Sequence, residues 1–255
     1  MSTSVKIARV RAGVITESED KVVDEVAVAL VYNGISHAVM MCSPTDLDDF
    51  AVGFSLSEGI VDSTDQIYAL NVEADPRGWR VEIEIAGAEF AALKNRRRQL
   101  TGRSGCGLCG VDSLEQALRQ PQRVIEQAVD SQAIERAITQ LSEHQVQGAE
   151  TGASHAAAWM DLSGNLQSIR EDVGRHNALD KLIGSHPGEF EDGFAVITSR
   201  ASYEMVHKAC SVGIGALVAV SAPTSLAVDM AHQAGLNLIG FARPGRHQRY
   251  QGFVC

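Results

Sequence analysis

Residues 193 to 242 read GFAVITSRASYEMVHKACSVGIGALVAVSAPTSLAVDMAHQAGLNLIGFA. Three near-continuous apolar runs stand out in it: GFAVITS (193–199), IGALVAVSA (214–222) and LNLIGFA (236–242). Each has the length and composition of a strand covered on both faces. Between them, ASYEMVHKACSVG and PTSLAVDMAHQAG carry helical patterns closed by glycine, with Pro223 where a first-turn proline would sit. Strand, helix, strand, helix, strand is a βαβαβ unit with a parallel sheet. In such sheets ligands gather at the carboxyl ends of the strands. That rule selects three loops, TSRASY, SAPTS and FARPGR, as candidate site segments.

Upstream the pattern changes. VVDEVAVALVYNGISHAVMM (22–41) is rich in valine, and Asn33-Gly34 between two strand-like runs predicts a hairpin. SPTDLDDFAVGFSLSEGIV follows, with Ser43 or Thr45 as a helix cap, apolar positions at Leu47, Phe50, Ala51 and Phe54, and an end near Gly59. GWRVEIEIAG alternates Trp79, Val81, Ile83 and Ile85 against charged neighbours, the signature of a half-exposed strand. The expected fold class is α/β, a small N-terminal α+β domain joined to a distal three-layer α/β domain. The first is placed at 1–100 and the second at 148–255. Residues 101–147 are expected to be a connector holding a glycine-rich cysteine loop and two helices, SLEQALRQ and SQAIERAITQLSEH.

Composition narrows the function classes. The chain has 255 residues, 45% hydrophobic and 21% charged, ordinary globular values that exclude disordered and fibrous classes. A net charge of -10 argues against nucleic acid as a partner. The N-terminus lacks a signal-peptide core, and the longest apolar stretch, near 213–222, is too short to cross a bilayer before Pro223. Five cysteines, at 42, 106, 109, 210 and 255, offer no disulfide framework. These features predict a cytoplasmic protein without a membrane partner.

TGRSGCGLCGVD (101–112) holds Cys106 and Cys109 among four glycines. Three chemistries use such a pair. A structural zinc site needs two further ligands, and the sequence supplies neither a second Cys-x-x-Cys nor a closely spaced histidine pair. A thioredoxin-type dithiol needs a strand running into a helix N-terminus at the first cysteine, and none is evident. A nucleophilic or persulfide-bearing cysteine needs positive charge to raise its thiolate fraction. Lys94, Arg96, Arg97, Arg98 and Arg103 stand nearby, although a charge run can equally be a solvated face. The glycines would let such a thiol swing between donor and acceptor.

Two further motifs bear chemistry. TGASHAAAW places His155 after a glycine turn, and EDVGRHNALDKLIG places Asp172, Arg175, His176, Asp180 and Lys181 around a helix start. Asp172 with His176, and His176 with Asp180, are i,i+4 neighbours, so a surface ion-pair face would also explain them.

The set Cys-Gly-Leu-Cys-Gly, Thr-Gly-x-x-His-Ala-Ala-Ala, Glu-Asp-Val-Gly-Arg-His-Asn-Ala-x-Asp-Lys, Ser-Arg-Ala-Ser-Tyr-Glu-Met-Val, Ser-Ala-Pro-Thr-Ser-Leu-Ala-Val and Gly-Phe-x-Arg resembles the formate dehydrogenase accessory sulfurtransferase family, FdhD, from about Val26 to Tyr250. The resemblance implies a sulfurtransferase. A cysteine desulfurase would load a persulfide, and the sulfur would pass to the molybdenum cofactor, bis-molybdopterin guanine dinucleotide, before that cofactor enters formate dehydrogenase. It matches Cys106 to the persulfide carrier and Cys109 to its partner as the catalytic pair. It matches Phe241, Ala242, Arg243, Pro244, Gly245 and Arg246 to the cofactor-binding segment, with no permanent metal. It also implies a distal domain similar to the cytidine-deaminase fold, and a homodimer. A non-catalytic cofactor chaperone, binding the guanine dinucleotide and the apo-enzyme, is the alternative. A deaminase-type zinc hydrolase lacks its general acid, because Ala156 and Ala157 follow His155. One departure concerns Ala153, where the family pattern has glycine: a left-handed backbone there would strain the alanine.

Overall fold

The computed structural model describes residues 1–101, 120–186 and 188–250, with backbone alone at 96–101. The three apolar runs form β9 (Gly193–Ile197), β10 (Ala216–Ala219) and β11 (Asn237–Arg243), mutually parallel as expected. They lie in a six-stranded sheet of order β12-β11-β10-β9-β7-β8. Its flanks, β7 (His155–Asp161), β8 (Leu166–Asp172) and β12 (Arg246–Tyr250), are antiparallel to their neighbours.

The unbroken hydrophobicity of the central strands has a direct cause. Phe194 and Val196 join a core with Val218 and Ile239 on one face, while Ala195 and Ile197 join Leu217 and Leu238 on the other. Both faces need a lid. Helices α5 (Arg175–Ser185), α6 (Tyr203–Ser211) and α7 (Ser225–Ala234) supply one through Leu179, Leu182, Met205, Val206 and Ala231. Helix α3 (Ser131–His144) supplies the other with Ala133, Ile134, Ala137, Ile138 and Leu141. Each large aliphatic side chain covered there contributes about 1.5–3 kcal/mol. Read in sequence as part of a connector, α3 is thus the second outer layer of the sheet. Its start is capped by the Asp130 carboxylate, which accepts from the Gln132 N–H at 2.7 Å. Pro223 also sits elsewhere than the pattern suggested: Thr224 is the cap of α7, its hydroxyl accepting from the Ala227 N–H, and the proline precedes it.

The first domain is a four-stranded sheet of order β4-β3-β6-β5, built from β3 (Val26–Tyr32), β4 (Ile35–Cys42), β5 (Ile67–Asp75) and β6 (Gly78–Ile85). Asn33 and Gly34 both take positive φ, 46° and 79°, in the turn that the dipeptide forecast. Helices α1 (Leu47–Ser57) and α2 (Gly87–Thr101) pack on the sheet through Phe50, Phe54 and Leu93. Neither expected cap serves α1; Asp46 precedes it in a left-handed conformation, without a side-chain cap. The basic residues from Lys94 to Arg98 continue α2 instead of opening a loop. A short helix α4 (Val146–Thr151) follows α3, and the expected helix SLEQALRQ lies, but for Gln120, outside the described residues.

An unforeseen hairpin, β1 (Ser2–Arg11) and β2 (Val14–Val23), precedes the first domain. Its charged residues and short apolar positions give no amphipathic face to read, and Val10, Val14 and Ile15 at its tip are exposed.

The two domains meet along α1 and α5, which cross at glycines. A Cβ on Gly53 would lie 1.7 Å from the Asp180 carbonyl oxygen, and one on Gly184 would lie 1.9 Å from that of Asp49. Only hydrogen fits at either position.

Candidate functional site

The carboxyl ends of β9, β10 and β11 bring the three candidate loops to one edge of the sheet, where backbone bonds lace them together. The Thr224 N–H donates to the Ala201 carbonyl at 3.0 Å, and the Phe241 N–H to that of Ser221 at 3.1 Å. Antiparallel β7 begins at this edge with His155 and β8 ends there with Asp172, which are register partners. The Ala156 N–H donates to Thr198 Oγ1 at 2.9 Å, fixing the start of β7 against TSRASY. Distal motifs scattered over ninety residues of sequence therefore share one face.

Residues 241 to 246 span the end of β11, the Pro244-Gly245 turn and the first residue of β12. Phe241 has φ 50° and Gly245 φ 76°, and the register shifts between Gly240 and Arg243. This bulge tips the strand end out of the sheet. Arg243, Pro244, Gly245 and Arg246 are exposed at the tip, whereas Ala242 is fully buried, so its side chain serves the core and only its backbone can serve a ligand. Arg200 is exposed on the neighbouring loop.

The motif EDVGRHNALDK does not form an i,i+4 surface face. Glu171 and Asp172 end β8 with their carboxylates on separate duties. Glu171 accepts from the N–H groups of Gln147 and Gly148, at 2.7 and 2.8 Å, and so caps α4. Asp172 is wholly buried and accepts from the Ser43 and Gly174 N–H groups, from Asn177 Nδ2, and from Lys181 Nζ at 2.7 Å. Asp180 pairs with Lys208 Nζ at 2.9 Å and accepts from Ser57 Oγ at 2.6 Å. Burial disfavours the Lys208 charge, but Asp180 and Glu58 outweigh it and hold the ammonium above its usual range. Both buried lysines thus serve the domain junction, through partners distant in sequence. No helical spacing could reveal that.

The remaining members of the motif do reach the sheet edge. Arg175 and His176 open α5, and His176 Nε2 stands 2.8 Å from Oε2 of Glu204 in the first turn of α6. Arg175 Nη2 approaches the same oxygen at 3.9 Å. Burial, then the Arg175 charge, holds His155 below the ordinary histidine value against the pull of Asp172. Burial also lowers His176, against the pull of Glu204. Both rings are therefore neutral near pH 7. Arg175 Nε and Ser202 Oγ are enclosed at this edge without a hydrogen-bond partner among the described residues, which leaves two donors for a ligand.

Cys106 and Cys109, together with Arg103, lie outside the described residues. Cys42 and Cys210 are buried free thiols. Burial, then the Asp172 carboxylate, pushes the Cys42 thiol far up, and burial pushes Cys210 up to about 12. Neither can supply a thiolate at neutral pH. Ala153 has no positive φ; the left-handed residue is Gly152 at φ 66°, so the alanine is unstrained. Among the described residues no group of three or more His, Cys, Asp or Glu is placed to hold a metal ion, and no helix is long and apolar enough to cross a membrane.

The model of the FdhD/NarQ family matches residues 23–253. The chain belongs to that family. It is 52% identical to the sulfur carrier protein FdhD of Cupriavidus necator, over 96% of this chain and 86% of that one. It is also 52% identical to the protein of the same name from Xanthomonas euvesicatoria pv. vesicatoria, over 93% of this chain and 86% of the relative. In fold it is similar to a crystal structure of a candidate formate dehydrogenase accessory protein from Desulfotalea psychrophila. The TM-score is 0.79 at 23% identity, covering 98% of this chain and 97% of the other. The α/β class expected for FdhD-like chains is the class observed.

Proposed function

We propose that this FdhD/NarQ member is a sulfurtransferase that takes persulfide sulfur from a cysteine desulfurase on Cys106. Cys109 is its partner thiol, and the sulfur passes to bis-molybdopterin guanine dinucleotide destined for formate dehydrogenase. The observation that carries the reading is half-or-better identity, across nearly the whole chain, to proteins named sulfur carrier protein FdhD. The geometry supports it in two ways. Cys42 and Cys210 are too deeply buried to act, which leaves sulfur chemistry to the other three, Cys106, Cys109 and Cys255. The carboxyl edge offers an acidic protein a local means of meeting phosphates: Arg200, Arg243 and Arg246 on exposed loops, and the enclosed donors of Arg175 and Ser202. The acceptor is a substrate in this scheme, held by the 241–246 segment.

Intact-protein mass spectrometry tests the donor step. After incubation with a cysteine desulfurase and cysteine, the wild-type chain should gain the mass of one sulfur atom and Cys106→Ala should not. Equal gain by Cys106→Ala sinks the assignment. If a Cys106→Ala/Cys109→Ala variant restores formate dehydrogenase activity in cells lacking the protein, the chain is a cofactor chaperone and moves no sulfur.

A further inference from the structure

Ser43 belongs to the first domain, between β4 and α1, yet every polar group it owns bonds outside that domain. Its N–H donates to Asp172 Oδ2 at 2.9 Å and its carbonyl accepts from Lys181 Nζ at 3.0 Å. Its hydroxyl oxygen accepts from the Val173 N–H at 3.2 Å and donates to Gln147 Oε1 at 3.4 Å. The residue is completely buried. Pro44 follows it, which biases Ser43 toward extended backbone, whose N–H and carbonyl project to the same side, here onto the paired Asp172 and Lys181. Just before it, the Met41 carbonyl accepts from Asn177 Nδ2 at 2.8 Å. These bonds converge on the turn Asp172-Val173-Gly174, the stretch that aims Arg175 and His176 at the sheet edge.

We infer that Ser43 is a positioning residue for the carboxyl-edge site: the first domain sets the aim of Arg175 and His176 by gripping the β8–α5 turn. A carboxylate with four donors, next to a Val173 amide bound from the other domain, cannot rotate without breaking several buried bonds at once. The second domain therefore carries the side chains, and the first carries part of their orientation. The role of this edge in receiving an acceptor rests on the function proposed above; the positioning itself does not.

Nuclear magnetic resonance on the full chain tests the inference without a ligand. The Arg175 Nε–H is enclosed, and His176 reports through its ring protons; Arg175, Glu204 and Lys208 are the charged groups that act on that ring. Ser43→Ala should speed exchange of the Arg175 Nε–H with solvent by about tenfold or more and shift the His176 signals, as expected when a supporting bond is lost. Ser57→Ala removes a comparable buried hydroxyl from the same domain junction, at the Asp180 pair. It should lower Tm and leave Arg175 exchange unchanged. Wild-type exchange in Ser43→Ala, or equal acceleration in Ser57→Ala, overturns the inference. If Ser43→Ala does not fold, Ser43→Thr, which keeps the hydroxyl, is compared with the isosteric Ser43→Val; equal Arg175 exchange in the two overturns it likewise.

A second arm separates this inference from the functional reading. GDP should bind Ser43→Ala about tenfold more weakly than wild type. No binding of GDP to the wild type counts against the acceptor site while the exchange result still stands. Equal GDP affinity in a Ser43→Ala variant that shows accelerated Arg175 exchange means that Arg175 is aimed by Ser43 but does not meet the nucleotide.

Discussion

At the scale of single residues, Asp172 and Lys181 put the most at stake. Both side chains are 0% exposed and pair at 2.7 Å. A buried pair can break even against apolar replacements, but a buried charge left alone cannot. Lys181→Met therefore should cost about 3–5 kcal/mol in urea denaturation, with Asp172→Asn/Lys181→Met recovering part of the loss. A cost for Lys181→Met below about 1 kcal/mol, the value of an exposed pair, would show that water reaches the site. His155 and His176 give the pH dependence. Their folded values are lowered, so the folded chain binds fewer protons there than the unfolded one. Their contribution is whole above the ordinary histidine value of about 6.5 and is lost as pH falls through the lower folded values. The fall in Tm from pH 7.5 to 5 should be shallower in a His155→Gln/His176→Gln variant than in wild type. Parallel curves would mean that the rings titrate as free histidines.

At the scale of elements, the α1–α5 crossing dictates how closely the domains approach. The atoms facing a Cβ on Gly53 are backbone: the Asp180 carbonyl at 1.7 and 2.6 Å and the Gly184 nitrogen at 2.7 Å. No rotamer change relieves such a clash, so the helices must separate and stretch the bonds of Ser57, Asp180 and Lys208. Gly53→Ala should lower stability by about 3 kcal/mol, the upper range for overpacking. Gly87→Ala, at the start of α2 with nothing within 4 Å of the added atom, should stay within about 1 kcal/mol of wild type. Similar urea midpoints for the two variants would disprove close helix contact. Neither Gly53 nor Gly184 could be picked out in sequence, because GFSLSEG and LIGSHPG look like ordinary helix ends.

At the scale of the molecule, what was legible followed from periodicity, and what was hidden followed from distance along the chain. The βαβαβ unit showed in its apolar runs because strands covered on both faces must be apolar throughout, and the Asn33-Gly34 hairpin showed because its turn demands those residues. The placement of α3 was hidden, since its apolar stripe of Ala133, Ile134, Ala137, Ile138 and Leu141 states that it packs but not on what. In the candidate site, loop positions followed from strand order, while the partners of Asp172, Asp180, Lys181 and Lys208 did not, because two of the three elements that meet at each pair are more than a hundred residues apart. That long-range seam makes the two domains interdependent. Opening it strands Asp172 and Lys208 or admits water to both, and uncovers Leu56, which packs against the cores of both domains. Such a junction does not open as a loose hinge. Calorimetry on the full chain should give one transition, with van't Hoff and calorimetric enthalpies equal. Lys208→Met, which leaves Asp180 and Glu58 without their cation, should lower Tm and begin to split that transition in two. Two resolved transitions already present in the wild type would mean that the seam does not couple the domains, and Ser43 could then not aim a site in its neighbour.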